Sequence, residues 1–251
     1  MPRAWGVVVS CEHAGNRTPR AFASLFQGAA ARRALASHRG WDPGSLTLGR
    51  RIADAVDAPI VVHEITRLLI EVNRSPWHPS LFSEFSKSLS RADRRALITS
   101  VYETHRSRVE AAVREAVESN GTALHIGAHT FTPQMNGVLR NADVGLLYDP
   151  RRRAEASFCR RWRDAIRSLD PAIRVRLNYP YRGAADGLTT AFRRRFGTTE
   201  YLGIELEVNQ RFVGAGKRRA FNMLIAVLTA SLRTTLDARP SRRRGRRAPT
   251  R

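Results

Sequence analysis

Short runs of valine, isoleucine and leucine recur along this chain, and several are apolar on both faces. They cover Trp5 to Ser10, Pro59 to Ile65, Leu68 to Val72, Ala123 to Ala128, Val144 to Tyr148, Ile173 to Leu177 and Leu202 to Val208. A strand with one wet face alternates apolar and polar residues. A strand without that alternation is covered on both sides, as in a sheet held between helices. The stretches between the runs carry helical patterns. Ser45 to Val56 places Leu46, Leu48, Ile52 and Val56 at helical intervals. Ser90 to Ser119 carries a stripe of Leu97, Ile98, Val101, Tyr102, Val109, Val113 and Val117. Ser90 is placed to cap it, Asp93 sits at its third position, and Gly121 follows its end. Arg153 to Leu169 and Gly216 to Leu236 predict two further helices. Strands alternating with helices give an α/β class built on a mixed, largely parallel sheet.

The 251 residues suit one large domain, expected over 1–237. Residues 238–251 are rich in proline, glycine and arginine and predict a disordered tail. No run reaches the roughly 18 apolar residues of a membrane span. Met1 to Trp5 lead into the first strand with no apolar leader segment. Cys11 and Cys159 are too few for a disulfide framework. These features predict a cytoplasmic protein with free thiols and no membrane partner.

The net charge of +21 raises the question of nucleic acid. Almost all of it is arginine, Lys87 and Lys217 being the only lysines, and seven of the arginines lie in 239–251. The basic residues of the body are scattered and not interleaved with aromatics, the pattern of a solvated surface and not of a nucleic-acid groove. A non-enzymatic, nucleic-acid-associated protein whose tail is the point remains the contrasting reading. The sequence sets no oligomeric state.

Polar residues stand where several apolar runs stop. Ligands and catalytic groups of open α/β sheets gather at the carboxyl ends of strands. His13 leaves the run Val7-Val8-Val9 into Ala14-Gly15, and His129 lies just past the run 123–128. His125, within that run, reads as structural, and Cys11 as a small buried hydrophobe. His105 falls on the inward stripe of the long helix and reads as a packed histidine. Asp42 precedes a helix, where aspartate is an ordinary turn or cap residue. Yet two histidines with one carboxylate form a common hydrolytic metal set. Glu205 and Glu207 share one face of a strand among Ile204, Leu206 and Val208. A buried carboxylate needs a partner, a metal or a raised pKa, and one of the two is a candidate general base. Asn73 and Arg74 follow the run 68–72, with Arg67 before it. With Arg140 and Arg182 they are candidates to clamp a substrate carboxylate, which a guanidinium matches in bidentate fashion. The loop Asn73 to Ser90 is long enough to be functional.

Together these segments resemble the N-formylglutamate amidohydrolases. Ser10-Cys11-Glu12-His13-Ala14-Gly15-Asn16-Arg17-Thr18-Pro19 is similar to their opening histidine motif. Leu69-Ile70-Glu71-Val72-Asn73-Arg74 resembles their Asn-Arg segment, and Gly127-Ala128-His129-Thr130-Phe131 their second histidine motif. Asn178 to Gly187 and Glu205-Leu206-Glu207-Val208-Asn209-Gln210 resemble their C-terminal motifs. The resemblance runs in order from residue 5 to about 236. It implies a three-layer α/β/α fold related to zinc-dependent exopeptidases, of the phosphorylase/hydrolase-like kind. It also implies hydrolysis of a small N-formyl or N-acyl amino acid with one divalent ion, Zn2+. Carried over by position, it suggests His13, Asp42 and His129 as metal ligands and Glu207 as base, with Glu205 beside it. A metallo-amidase or peptidase with a larger peptide substrate is the nearest alternative, and it would show a wide, open cleft.

Overall fold

The computed structural model describes residues 5–238. The elements, in chain order, begin with strand β1 (Gly6–Cys11), helix α1 (Ala29–Ala36), helix α2 (Ser45–Val56) and strand β2 (Ile60–Val62). Helices α3 (Arg91–Leu97) and α4 (Thr104–Asn120) follow, then strands β3 (Ala123–Phe131), β4 (Gln134–Met135), β5 (Val138–Leu139) and β6 (Val144–Leu147). Helix α5 (Arg153–Leu169), strand β7 (Val175–Leu177), helix α6 (Leu188–Arg195), strand β8 (Tyr201–Asn209) and helix α7 (Arg218–Asp237) complete the order.

Six strands form one sheet in the order β2-β1-β3-β8-β6-β7. Strands β2, β1, β3 and β8 run parallel, β6 is antiparallel to β8, and β7 is parallel to β6. The sheet is mixed and largely parallel, as its doubly buried strands require.

Alternation along the strands assigns each residue to one of two covering layers. Val7, Val9, Leu124, Ile126, Ile204 and Leu206 pack against Leu48 and Ile52 of α2, Trp162 of α5 and Leu228 of α7. On the other face, Val8, Ala123 and Tyr201 meet Val109 and Val113 of α4 and Leu188 and Phe192 of α6. The result is a three-layer α/β/α arrangement. A third apolar cluster joins Phe26, Ala31, Leu69, Ile70, Val72, Leu81, Leu97 and Tyr102 beyond the sheet.

That third cluster explains the main departure from the sequence reading. Leu68 to Val72 is buried but forms no strand; it lies in turns, with the Leu69 amide donating to the Thr66 carbonyl. Its apolar side chains are covered by helices and loops, so no ladder is needed. The run 59–65 is also trimmed to the three residues of β2, and 173–177 to the three of β7. Helices α2 and α5 have the bounds the sequence predicts. The long helix 90–119 is continuous but passes through a π-helical turn, Ile98–Glu103, between α3 and α4. Ser90 caps it as expected, accepting from the Asp93 amide, and Gly121 ends it at φ +78°. Helices α1 and α6 and the small β4–β5 hairpin were not anticipated. The predicted tail, 238–251, lies outside the described residues but for Ala238.

Candidate active site

The sheet face covered by α4 and α6 turns polar towards the carboxyl ends of its strands. Alternation puts His125, His129, Glu205 and Glu207 on this face, and the parallel register sets His129 beside Glu207 and Gly127 beside Glu205. Deep in the sheet His125 is a bridge. Its Nε2 lies 2.7 Å from Ser10 Oγ and its Nδ1 2.7 Å from Tyr201 Oη, linking β1, β3 and β8. Burial lowers its pKa to about 4, so the ring is neutral.

Nearer the strand ends three side chains converge. His13 leaves β1 two residues past its last position. The Asp42 amide donates to the His13 carbonyl at 2.9 Å, which ties the loop before α2 to that end. Asp42 Oδ2 then stands 3.2 Å from His13 Nδ1 and 3.0 Å from His129 Nδ1. One donor atom from each of His13, Asp42 and His129 lies within 4.8 Å of the other two, and all three residues are buried. Behind the imidazoles are further carboxylates. His13 Nε2 meets Glu71 Oε1 at 2.6 Å, and His129 Nε2 faces Glu12 Oε2 at 3.1 Å. Arg67 holds both supporting acids of His13, with Nε 2.7 Å from Glu71 Oε2 and Nη1 3.3 Å from Asp42 Oδ1.

Two imidazole nitrogens and a carboxylate oxygen point at one place, and the far nitrogen of each ring faces an acid, as in histidines that ligate metals. Burial would raise the Asp42 carboxyl, but the surrounding His13, His129 and Arg67 hold it far below the usual range. Burial would likewise lower His129, yet Asp42 and Glu12 pull its pKa well above normal. So many buried acids around two rings favour positive charge at this point. His13, Asp42 and His129 therefore fit a divalent ion.

The convergent groups open on a cavity of about 870 Å³, whose wall includes Arg67, Asn73, Arg74, Lys87, Arg182, Glu205 and Glu207. Glu207 is buried, its Oε2 has no hydrogen-bond partner, and burial raises its pKa to about 8. Glu205 differs: its Oε1 accepts from Thr189 Oγ1 at 3.3 Å.

The sequence matches the family model of N-formylglutamate amidohydrolase over residues 5–213. The chain belongs to this family. Among solved structures, a gene product from Agrobacterium tumefaciens is similar at 25% identity with a TM-score of 0.73, over 92% of each chain. The N-formylglutamate amidohydrolase from Ralstonia eutropha is similar at 17% identity and a TM-score of 0.65, over 93% of this chain and 94% of that one. The second likeness bears on the fold. No curated protein matches the sequence.

For this amidohydrolase-family chain the structure brings His13, Asp42, His129, Glu205 and Glu207 to one cavity. The carboxylate-clamp candidates are more dispersed. Asn73 and Arg74 line the wall, but each has a partner: Asn73 Oδ1 accepts from the Leu188 amide at 2.8 Å, and Arg74 Nη1 donates to the Asp186 carbonyl at 2.6 Å. Arg182 lines the mouth and is exposed. Arg140 is not part of the lining; it sits against Tyr181, its guanidinium carbon 5.0 Å from the ring centre and Nη1 3.1 Å from the hydroxyl. Glu12 and Glu71 were not singled out from sequence. The signal was present, since Glu71 interrupts the apolar run 68–72 as Glu205 and Glu207 interrupt theirs.

Proposed function

We propose that this chain is a metal-dependent amidohydrolase that cleaves the amide of a small N-formyl or N-acyl amino acid, with His13, Asp42 and His129 holding one divalent ion, Zn2+. The observation that carries the reading is the convergence of His13 Nδ1, His129 Nδ1 and Asp42 Oδ2 beside the unpartnered carboxylate oxygen of Glu207. A zinc ion held there would lower the pKa of water to about 7 and polarise the scissile carbonyl.

The protein's own groups supply the rest. A divalent ion in place would draw the raised pKa of Glu207 back down and leave it ionised. Glu207 then takes the proton released as water oxygen bonds to the amide carbon, and delivers it to the nitrogen as the carbon–nitrogen bond breaks. Glu205, tied to Thr189, orients the region around it. Arg74 and Arg182 on the cavity wall receive the substrate carboxylate, and the Asn73 side-chain Nδ2 donates beside them. Arg140 contributes through the Tyr181 ring, which it holds.

The cavity gives weight to a second reading. About 870 Å³ is far more than a formylated amino acid fills, so a metallo-amidase or peptidase acting on a longer acylated peptide shares the same chemistry. One experiment separates the readings. Purified protein is analysed for metal, stripped with chelator and reloaded, then offered N-formyl and N-acyl amino acids alongside short N-acyl peptides. The proposal expects hydrolysis that disappears with the metal, returns on reloading and favours the single amino acids. Preference for the peptides selects the second reading. Hydrolysis indifferent to the chelator removes the metal from both.

A further inference from the structure

Behind His129, on the side away from the cavity, lies a nest of buried polar groups that the hydrolytic reading leaves without a task. Glu12 is 1% exposed. Its Oε2 is 3.1 Å from His129 Nε2, and its Oε1 is 3.7 Å from His105 Nε2. Glu12 Oε1, His129 Nε2, both ring nitrogens of His105 and His63 Nε2 are buried without a well-formed hydrogen bond, so Glu12 meets His129 as a close charge contact, and the His63 and His105 rings stand 5.1 Å apart. A buried carboxylate surrounded by imidazoles is expensive, and core packing would be better served by apolar residues. Such a group is retained for something other than stability.

The elements around it suggest what that is. His105 sits in the first turn of α4, straight after the π-helical turn 98–103. Such turns occur often at functional sites. The same stretch braces the cavity wall. Tyr102 Oη donates to the Arg74 carbonyl at 2.7 Å, and Arg106 Nη1 donates to the Val72 and Arg74 carbonyls at 3.0 and 3.2 Å. One helical segment thus touches both the Val72–Arg74 wall and the acid behind His129.

Resting on the proposed metal site, we infer that Glu12 and His105 are positioning residues of that site. Glu12 faces the Nε2–H of His129 and so fixes the tautomer that turns Nδ1 towards Asp42 and the ion. His105 Nε2, 3.7 Å from the second oxygen of Glu12, is the group of α4 that faces it. Glu71 does the corresponding work on His13, so each ligand ring is backed by its own carboxylate. Neither Glu12 nor His105 lines the cavity, so neither meets substrate.

The test is zinc affinity by chelator competition, with the visible spectrum of the cobalt-substituted protein and the melting of the metal-free protein measured in parallel. His129→Ala comes first: if wild-type protein binds no metal, or this variant keeps it, the metal site itself is wrong. With that control passed, Glu12→Gln is expected to weaken zinc binding by about 10- to 100-fold and shift the cobalt spectrum. His105→Gln, acting through Glu12, should weaken binding by about threefold or more. Zinc affinity and cobalt spectrum unchanged in Glu12→Gln would overturn the inference, even if the variant melted lower, because a structural role alone would do that. Should Glu12→Gln fail to fold, His105→Gln decides alone, and an unchanged affinity overturns the inference.

Discussion

At the scale of single residues, two glutamates on one strand face meet different surroundings. Glu205 is tied to Thr189, whereas Glu207 has a buried oxygen with no partner and a pKa raised to about 8 by burial, against an ordinary 4.5. Glu207→Gln should lower turnover by at least ~100-fold with metal retained, and Glu205→Gln should be milder; steady-state kinetics with metal content check this. If Glu205→Gln is the inactive variant, the roles are exchanged. The same shift has a stability consequence. An acid whose folded pKa is raised favours folding only while protonated, so metal-free protein loses stability as pH rises from 4.5 towards 8. Glutamine carries no such proton. Metal-free Glu207→Gln should therefore melt above the wild type at pH 8, and the gap should close near pH 4.5. Melting curves across that range, showing no gap at pH 8, would count against a desolvated Glu207.

At the scale of elements, the neutral bridge of His125 makes a separate pH prediction. Its folded pKa is lowered to about 4 against an ordinary 6.5. The unfolded chain takes up the proton first, so the contribution is complete above pH 6.5 and is lost as pH falls towards 4. His125→Gln should be less stable than wild type at pH 7, because two hydrogen-bonding partners are disturbed, and the difference should narrow on acidification. Denaturant unfolding at several pH values measures it; a constant difference would mean that His125 does not titrate in this way. The elements also show what the sequence disclosed. Helices α2 and α5 were legible because their apolar stripes are long and flanked by clear ends. The strand ends carrying His13, His129, Glu205 and Glu207 were legible because a polar residue after a buried run has few places to go. Leu68 to Val72 misled because a loop buried by other loops has the composition of a strand. Helix α6 escaped notice since Leu188 and Phe192 give only a two-residue stripe beside three arginines. Glu12 and Glu71 gained their meaning from His129 and His13, partners 117 and 58 positions away, and no local pattern announces such pairs.

For the whole molecule, two thirds of the basic surplus is carried by residues 1–238 and the rest follows them. Residues 239–251 hold a third of the net charge and almost no apolar side chains. Truncation after Ala238 should leave melting and hydrolysis unchanged, because such a segment cannot contribute to a packed core. A large fall in melting temperature would show that it docks on the body. Salt-sensitive nucleic-acid binding lost with the truncation would revive the reading in which the tail is the point.

The register of β3 against β8 carries a longer consequence. His129 and Glu207 sit on paired positions of adjacent parallel strands, so their separation is set by the pitch of the sheet. Part of the cavity wall, by contrast, comes from the loop between Asn73 and Ser90, which has no part in that ladder. Descent within such an architecture can exchange the loop for another of different length and leave the His129–Glu207 geometry intact. Divergence in diet, with constancy in chemistry, is what a lineage built on this plan is free to explore.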